Sequence, residues 1–215
     1  AHVDVMVSVG NNFFYTLSLP CSLWFFNKGK SEKLKDKVLF IDARNYYTVV
    51  DRTLNEWSEW QLRNLNAIVW LYRGETENYK RLIQDYWRYF SQIAEKCDNM
   101  AWHMENPTFE DILQVVKSTE ATFANSLKQY QEALKATKKR KEKSELKAVV
   151  AEIEAQVTEL REAVTIAEEA VWLTSKFGYD GVYQDIPGLC RIATIAQIAE
   201  KDYSLTPGAY VGVAE

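Results

Sequence analysis

The chain has 215 residues, of which 47% are hydrophobic and 26% are charged, and its formal net charge is −4 at pH 7. These values are typical of one large or two small folded domains, and they exclude a disordered chain or a generally basic nucleic-acid coat. The three cysteines are widely spaced without a Cys-x-x-Cys pair, which argues against a zinc site or a disulfide framework, and no apolar run reaches 18 residues. We therefore expect a cytoplasmic protein without a membrane span.

Three strands are predicted near the start of the chain. Alternating valines predict the first over Val3–Val9, the continuous apolar run Cys21–Phe26 predicts a second that is covered on both faces, and residues 38–41 predict a third. Three short strands are too few for a domain. We therefore expect residues 1–53 to be the edge of a larger sheet whose other strands come from elsewhere.

Helices are predicted to follow from about residue 58. Ser58 and Gln61 have the spacing of a capping box, and they predict the start of a first helix. A second helix with one apolar side is predicted over residues 78–103. We interpret residues 54–105 as a helical connector.

A long helical run without Gly or Pro, from Thr108 to about Lys176, dominates residues 106–177. Its second half has apolar residues at alternating steps of four and three, which is a heptad pattern: Leu146, Val150, Ile153, Val157, Leu160, Val164, Ala167 and Val171. A single helix of this length would measure roughly 100 Å. We instead predict a long antiparallel coiled-coil hairpin folded at residues 138–143, because each apolar seam then buries the other.

A basic cluster lies at the predicted bend. Seven cations and two carboxylates between residues 135 and 147 give this stretch a net charge of +5. A solvated tip and a contact with nucleic-acid phosphates are both consistent with such a cluster. The candidates for a DNA contact are Lys138, Lys139, Arg140 and Lys141.

Residues 178–215 are predicted to form an extended tail with a short helix. Residues 190–193 have the composition of a short strand, and Thr194 with Gln197 predicts the start of the helix. No Gly-rich nucleotide loop is present, and His2 and His103 lie too far apart in sequence to suggest a metal or catalytic centre.

Five stretches, in this order, resemble the modification subunit of type I restriction-modification systems, which is a DNA adenine-N6 methylase. They are VSVGNNFFY (7–15), LWFFNKG (23–29), KVLFIDAR (37–44), LYRGE (71–75) and DYSLTPGAYVG (202–212). The last stretch departs from the family, since Ala209 stands where an Arg is usual. The first three resemble the end of the methylase domain, and the last resembles the carboxyl-terminal signature.

The resemblance implies a parent enzyme that transfers a methyl group from S-adenosylmethionine to adenine in DNA. It makes residues 1–53 the terminal strands of a Rossmann-like methyltransferase sheet. The family's Gly-rich cofactor loop and its Asn-Pro-Pro-aromatic motif lie upstream of the matching stretches, and Asn106-Pro107-Thr108 does not match that motif. We therefore expect a carboxyl-terminal fragment that has no cofactor and no activity by itself.

The resemblance also implies sites and partners. Methylases stack the extruded target base between side chains, and Phe14 or Tyr15 has the matching place, although either could equally fill a core. The implied partners are DNA and the specificity and restriction subunits of the type I complex. Because the heptad seam is incompletely matched by the opposing one, Leu160, Val164 and Trp172 are candidate contacts with the specificity subunit. The alternative function is a non-enzymatic coiled-coil module that binds a protein or RNA.

Overall fold

The computed structural model of the chain describes residues 2–16, 18–97 and 105–213. It is a mixed α/β structure in which helices dominate, so this part of the predicted fold class is confirmed. The chain divides into two compact units. One unit comprises Ala1–Leu82 and Thr174–Glu215, and the other comprises Ile83–Leu173.

The first unit is built on a sheet. Within the described residues the strands are β1 (Val3–Val9), β2 (Cys21–Phe26), β3 (Lys37–Ala43), β4 (Thr48–Val49), β5 (Asn55–Glu56) and β6 (Cys190–Thr194). Four of them form one sheet in the order β2-β1-β3-β6, and β4 pairs with β5 alone. β1 and β3 are parallel, whereas β2 and β6 pair antiparallel at the two edges. The three amino-terminal strands and the short strand near Cys190 are therefore confirmed.

Helices cover both faces of the sheet centre. The helices of this unit are α1 (Glu59–Arg73), α5 (Ile195–Ala199), α6 (Gly208–Val211) and the first turns of α2 (Thr76–Cys97). On one face Met6 and Phe40 join a core with α5 and α6, where the rings of Phe40 and Tyr210 stack 3.9 Å apart. The predicted capping boxes that begin α1 and α5 are both formed.

β2 differs from its prediction. Its apolar side chains from Leu23 to Phe26 are 38–65% exposed, so the expectation of a strand covered on both faces is wrong for this chain. The reason is its edge position, since in the described parts of the chain β2 pairs only with β1, and the carboxyl-terminal helices pack over β3 and β6. An apolar groove of about 290 Å³ separates Leu23 and Phe25 from α1.

The second unit is helical in its described residues. It contains residues 83–97 of α2, all of α3 (Phe109–Ala136), and α4 (Arg140–Phe177) as far as Leu173. The break at residues 137–139 overlaps the start of the predicted bend at residues 138–143, whose remaining residues belong to α4. α3 and α4 are antiparallel, as the contacts Lys117–Glu168 (2.8 Å), Glu120–Arg161 (2.9 Å) and Gln131–Glu154 (2.9 Å) show. Residues 98–104, which include the end of the predicted second helix and His103, lie outside the described residues.

α2 is a third helix at the base of this unit, which the two-helix prediction did not include. Trp87 stacks on Phe109 at the start of α3 with ring centres 4.3 Å apart, and Lys96 pairs with Glu159 of α4. α4 therefore buries a broader face than one seam. Its fully buried residues are Val157, Leu160, Ala163, Ala167, Ala170 and Leu173, whereas the predicted Val164 and Val171 are only half-buried.

Candidate functional site

An aromatic loop follows β1 at the carboxyl edge of the parallel pair. Phe13 packs inward, with its ring centre 4.9 Å from that of Trp57 and 6.0 Å from that of Tyr47. Phe14 is 48% exposed and Tyr15 is 90% exposed. Core packing therefore explains the aromatic side chain of Phe13, but it does not explain those of Phe14 and Tyr15.

The base of this loop is held by Asn55 of β5. Its backbone N–H donates to the carbonyl of Asn12 at 2.7 Å, and its side-chain amide donates to the carbonyl of Asn11 at 2.9 Å. The indole N–H of Trp57 donates to the carbonyl of Tyr46 at 2.6 Å, which ties the same segment to the end of β3. Sequence reasoning missed Asn55, because a two-residue strand carries no periodic signal.

A polar cleft of about 400 Å³ lies where β1 and β3 end. Its lining residues are Gly10, Asn11, Pro20, Arg44, Asn45 and Tyr47. Gly10 lets the two strand ends approach, since a Cβ there would lie 2.5 Å from the carbonyl oxygen of Arg44. Ligands of α/β sheets commonly bind outside the carboxyl ends of parallel strands, which is where this cleft lies.

Arg44 is oriented by Asp42. Its Nε donates to Oδ1 of Asp42 at 2.8 Å and its Nη2 donates to Oδ2 at 2.6 Å. These hydrogen bonds and the carboxylate charge raise the pKa of the guanidinium above its ordinary value. Gly208 of α6 lies close to the guanidinium, since a Cβ at this position would be 3.0 Å from Nη2. The hydrogen bonds between Arg44 and Asp42 use Nε and Nη2, and the Nη1 group of Arg44 has no partner among the described residues.

The polar cleft does not fit S-adenosylmethionine. A cofactor of this kind needs glycines that leave room for the ligand and a carboxylate for the ribose hydroxyls. The space beside Gly10 is filled by the carbonyl of Arg44, and the described lining of the cleft contains no carboxylate. We therefore assign no cofactor contact to the residues that line this cleft.

The buried thiol of Cys190 is not activated as a nucleophile. Burial raises the pKa of the Cys190 thiol to about 11, so that it is protonated at neutral pH and a poor nucleophile. No group of three or more His, Cys, Asp or Glu side chains that could hold a metal ion occurs in the described ranges. None of the helices described is long and apolar enough to cross a membrane.

The basic cluster surrounds the turn between α3 and α4. Lys138, Lys139, Arg140 and Lys141 are all exposed, and within the described chain none of them forms an ion pair. Cations nearer the base of the same unit do have partners, as Lys117 does with Glu168. The tip is therefore an unneutralised positive surface.

The three candidate partner residues lie in different environments on α4. Leu160 has no exposed surface, whereas Val164 and Trp172 are half-buried. Leu160 was chosen because the seam was expected to be incompletely covered, and at this residue that expectation is wrong, since the three-helix base of the unit encloses it. Contact with a partner stays a prediction for Val164 and Trp172.

Comparison with known proteins shows what the first part of the chain is similar to. Residues 1–95 match the model of the N-6 DNA Methylase family. A 60-residue segment is 40% identical to the type I restriction enzyme MjaIX methylase subunit of Methanocaldococcus jannaschii. That segment is 28% of this chain and 11% of the relative. The resemblance to adenine-N6 methylases inferred from the sequence is thereby confirmed.

Proposed function

We propose that this chain is the carboxyl-terminal part of a type I DNA adenine-N6 methylase subunit, and that it serves DNA binding and assembly. The family uses S-adenosylmethionine, and in the parent protein the methyl group would come from it. The observation that carries the proposal is the anchored loop of Phe14 and Tyr15 within residues that match the methylase family. Residues 1–53 would then be the terminal strands of a Rossmann-like sheet, followed by the connector to residue 105, the hairpin to residue 177 and the tail.

The exposed strand β2 supports a larger sheet. Both of its faces carry apolar side chains, and its outer edge has no pairing strand in the described residues. A strand that is apolar on both faces is typical of the interior of an α/β sheet, whereas an edge strand usually carries charged residues. A further strand paired with β2 would satisfy that edge, as the Rossmann-like interpretation requires.

Phe14 and Tyr15 are suited to stack a base. Enzymes that modify a base extrude it from the duplex and hold it against aromatic side chains. Stacking requires an exposed ring on a fixed support, and Asn55 with Phe13 supplies the support here. We assign the target base to this loop on these grounds.

The tip is proposed to contact DNA phosphates. Changing Lys138, Lys139, Arg140 and Lys141 together to Gln should weaken binding of duplex DNA regardless of its sequence, because the contacts are electrostatic. The slope of log K against log salt concentration should fall in magnitude by up to about 3.6, since each lost phosphate contact removes about 0.9. Fluorescence anisotropy with labelled duplexes at several salt concentrations measures both effects.

A control variant separates this effect from the loss of net charge. It changes four other exposed cations of the chain to Gln, namely Lys28, Lys33, Arg52 and Arg81. The control should bind DNA nearly as well as the original chain. Equal salt slopes in the two variants would count against the tip as a DNA contact.

Assembly with the specificity subunit is proposed to use the half-buried side of α4. Changing Val164 to Asp should abolish co-purification with that subunit, because a charge in an apolar contact is costly to desolvate. Thr165→Asp places the same charge on the neighbouring exposed position and should leave co-purification intact. Circular dichroism must show that both variants stay helical, and a folded Val164→Asp that still binds would contradict this proposal. The restriction subunit is proposed to join the same complex.

The alternative is a non-enzymatic coiled-coil module. It is favoured by one observation, namely that most of the second unit lies beyond the residues that match the methylase family. The duplex titration discriminates between the two functions. Binding of structured RNA in preference to DNA through the same tip cations would support the module.

A further inference from the structure

We propose that the polar cleft between Asn11 and Asn45 binds a phosphodiester of the DNA strand, next to the nucleotide whose base stacks on Phe14 or Tyr15. The inference rests on the proposed function, because it takes the ligand of the aromatic loop to be DNA. The same DNA strand would then make two contacts, one through its base with the aromatic loop and one through its phosphodiester with the cleft.

The cleft presents free hydrogen-bond donors. The side-chain amides of Asn11 and Asn45 and the hydroxyl of Tyr47 have no hydrogen-bond partner within the described part of the chain. The Nη1 group of Arg44 adds further donors, and Asp42 keeps the guanidinium in place. Arg, Asn and Tyr are among the side chains that donate hydrogen bonds to DNA phosphates.

The charge of the cleft also favours an anion. Its described lining contains no carboxylate, and Asp42 just behind it is only 10% exposed and is occupied by Arg44. A free carboxylate would repel a phosphate, whereas amides and a guanidinium stabilise one. The volume of about 400 Å³ is also sufficient for a small polar group, since ligand sites commonly enclose roughly 300–1,000 Å³.

The position of the cleft connects it to the aromatic loop. Gly10 and Asn11 begin the loop and Pro20 follows it, so both ends of the loop line the cleft. Proteins that bind single strands combine backbone contacts with aromatic rings on which the bases stack. The cleft and the loop together provide those two parts on one edge of the sheet.

Two short strands test the assignment. One is a single-stranded pentanucleotide whose only base is a central adenine, and the other has the same backbone with no base. Both are titrated by fluorescence anisotropy at low ionic strength into the chain whose four tip cations are Gln, so that the tip does not contribute. Asn45→Asp places a negative charge in the cleft, and Asn66→Asp places the same charge on the exposed side of α1 as a control.

The expected result is a loss of about tenfold in affinity for both strands with Asn45→Asp and no change with Asn66→Asp, because like charges repel at short range. Phe14→Ser should weaken binding only of the strand that carries the adenine. Thermal unfolding of each variant should match that of its parent, since Asn45 is exposed.

Three results would overturn the proposal. If Asn45→Asp and Asn66→Asp behave alike while Phe14→Ser retains its effect, the cleft is not a phosphate site but the proposed function stands. If neither strand binds the parent chain, both proposals fail. If inorganic phosphate binds in an Asn45-dependent manner and neither strand does, the cleft holds a free anion and not a DNA strand.

Discussion

Replacing Asp4 by Asn is expected to lower the free energy of unfolding by about 3–5 kcal/mol, because it leaves a buried cation without its counter-charge. Asp4 lies in β1 with 1% of its side chain exposed, and Arg73 Nη2 donates to its carboxylate at 2.7 Å. The Tyr72 hydroxyl donates to the same carboxylate at 3.1 Å. Lys30 Nζ lies 3.8 Å away with 4% of its side chain exposed. Urea denaturation followed by circular dichroism measures the loss.

A surface pair supplies the control for this change. Glu32→Gln makes the same carboxylate-to-amide substitution beside Lys35, where both side chains are more than half exposed. Exposed pairs of this kind contribute less than about 1 kcal/mol, so this variant should unfold almost as the parent does. Similar losses in Asp4→Asn and Glu32→Gln would show that the buried network is not important for stability.

The pH dependence of Asp4→Asn provides a second readout. Burial lowers the pKa of Lys30 below its ordinary value, while Asp4 opposes that shift. Between the pKa of Lys30 in the folded state and its pKa in the unfolded state, the folded chain binds fewer protons. The contribution of Lys30 to the free energy of unfolding therefore increases with pH over that range. Without Asp4 the pKa of Lys30 falls further. The difference in unfolding free energy between the parent chain and Asp4→Asn should therefore become smaller as the pH rises toward about 10.

Gly181→Ala is expected to cost about 2–4 kcal/mol of unfolding free energy, from a left-handed backbone and a steric clash together. Gly181 has a φ of +71°, and a Cβ there would lie 2.4 Å from the ring of Tyr79. That ring is fully buried, and its hydroxyl donates to the carbonyl of Gly178 at 2.6 Å. The ring therefore has no room to move away from the new methyl group.

Gly74→Ala isolates the contribution of the backbone. Gly74 ends α1 with a φ of +79°, and a Cβ there would meet nothing within 4 Å. Its Ala variant should lose about 1 kcal/mol, the cost of the left-handed conformation alone. The excess loss in Gly181→Ala measures the clash with Tyr79, and equal losses in thermal or urea unfolding would contradict it.

Local features of the fold could be predicted from the sequence, because local rules determine them. The capping boxes at Ser58 and Thr194 and the period-two pattern of β1 need only neighbouring residues to be recognised. The burial of Leu160 and the exposure of β2 could not be predicted in the same way. Both depend on which elements lie alongside, and the sequence does not show that α2 packs on α4 or that β2 is an edge.

The candidate site was predictable to the same limited extent. Phe14 and Tyr15 could be selected by resemblance, and their exposure is a property of the folded loop. The cleft depends on Gly10 lying against the Arg44 carbonyl, two residues that are 34 positions apart in the sequence. Contacts between residues so far apart produce no repeating pattern in the sequence. The positions of Asn45 and Asn55 at the candidate site could therefore not be predicted from it.

The pairing of β6 with β3 has a consequence for how the chain folds. Residues 190–194 complete a sheet whose other strands end by residue 43, so the first unit closes only after a long intervening stretch has been synthesised. Closing so long a loop has an entropic cost that increases slowly with its length. A polypeptide ending near residue 95, where the methylase match stops, would leave β3 without one neighbour and Phe40 without the Tyr210 ring. The residues that match the family model therefore do not include all the strands of this sheet.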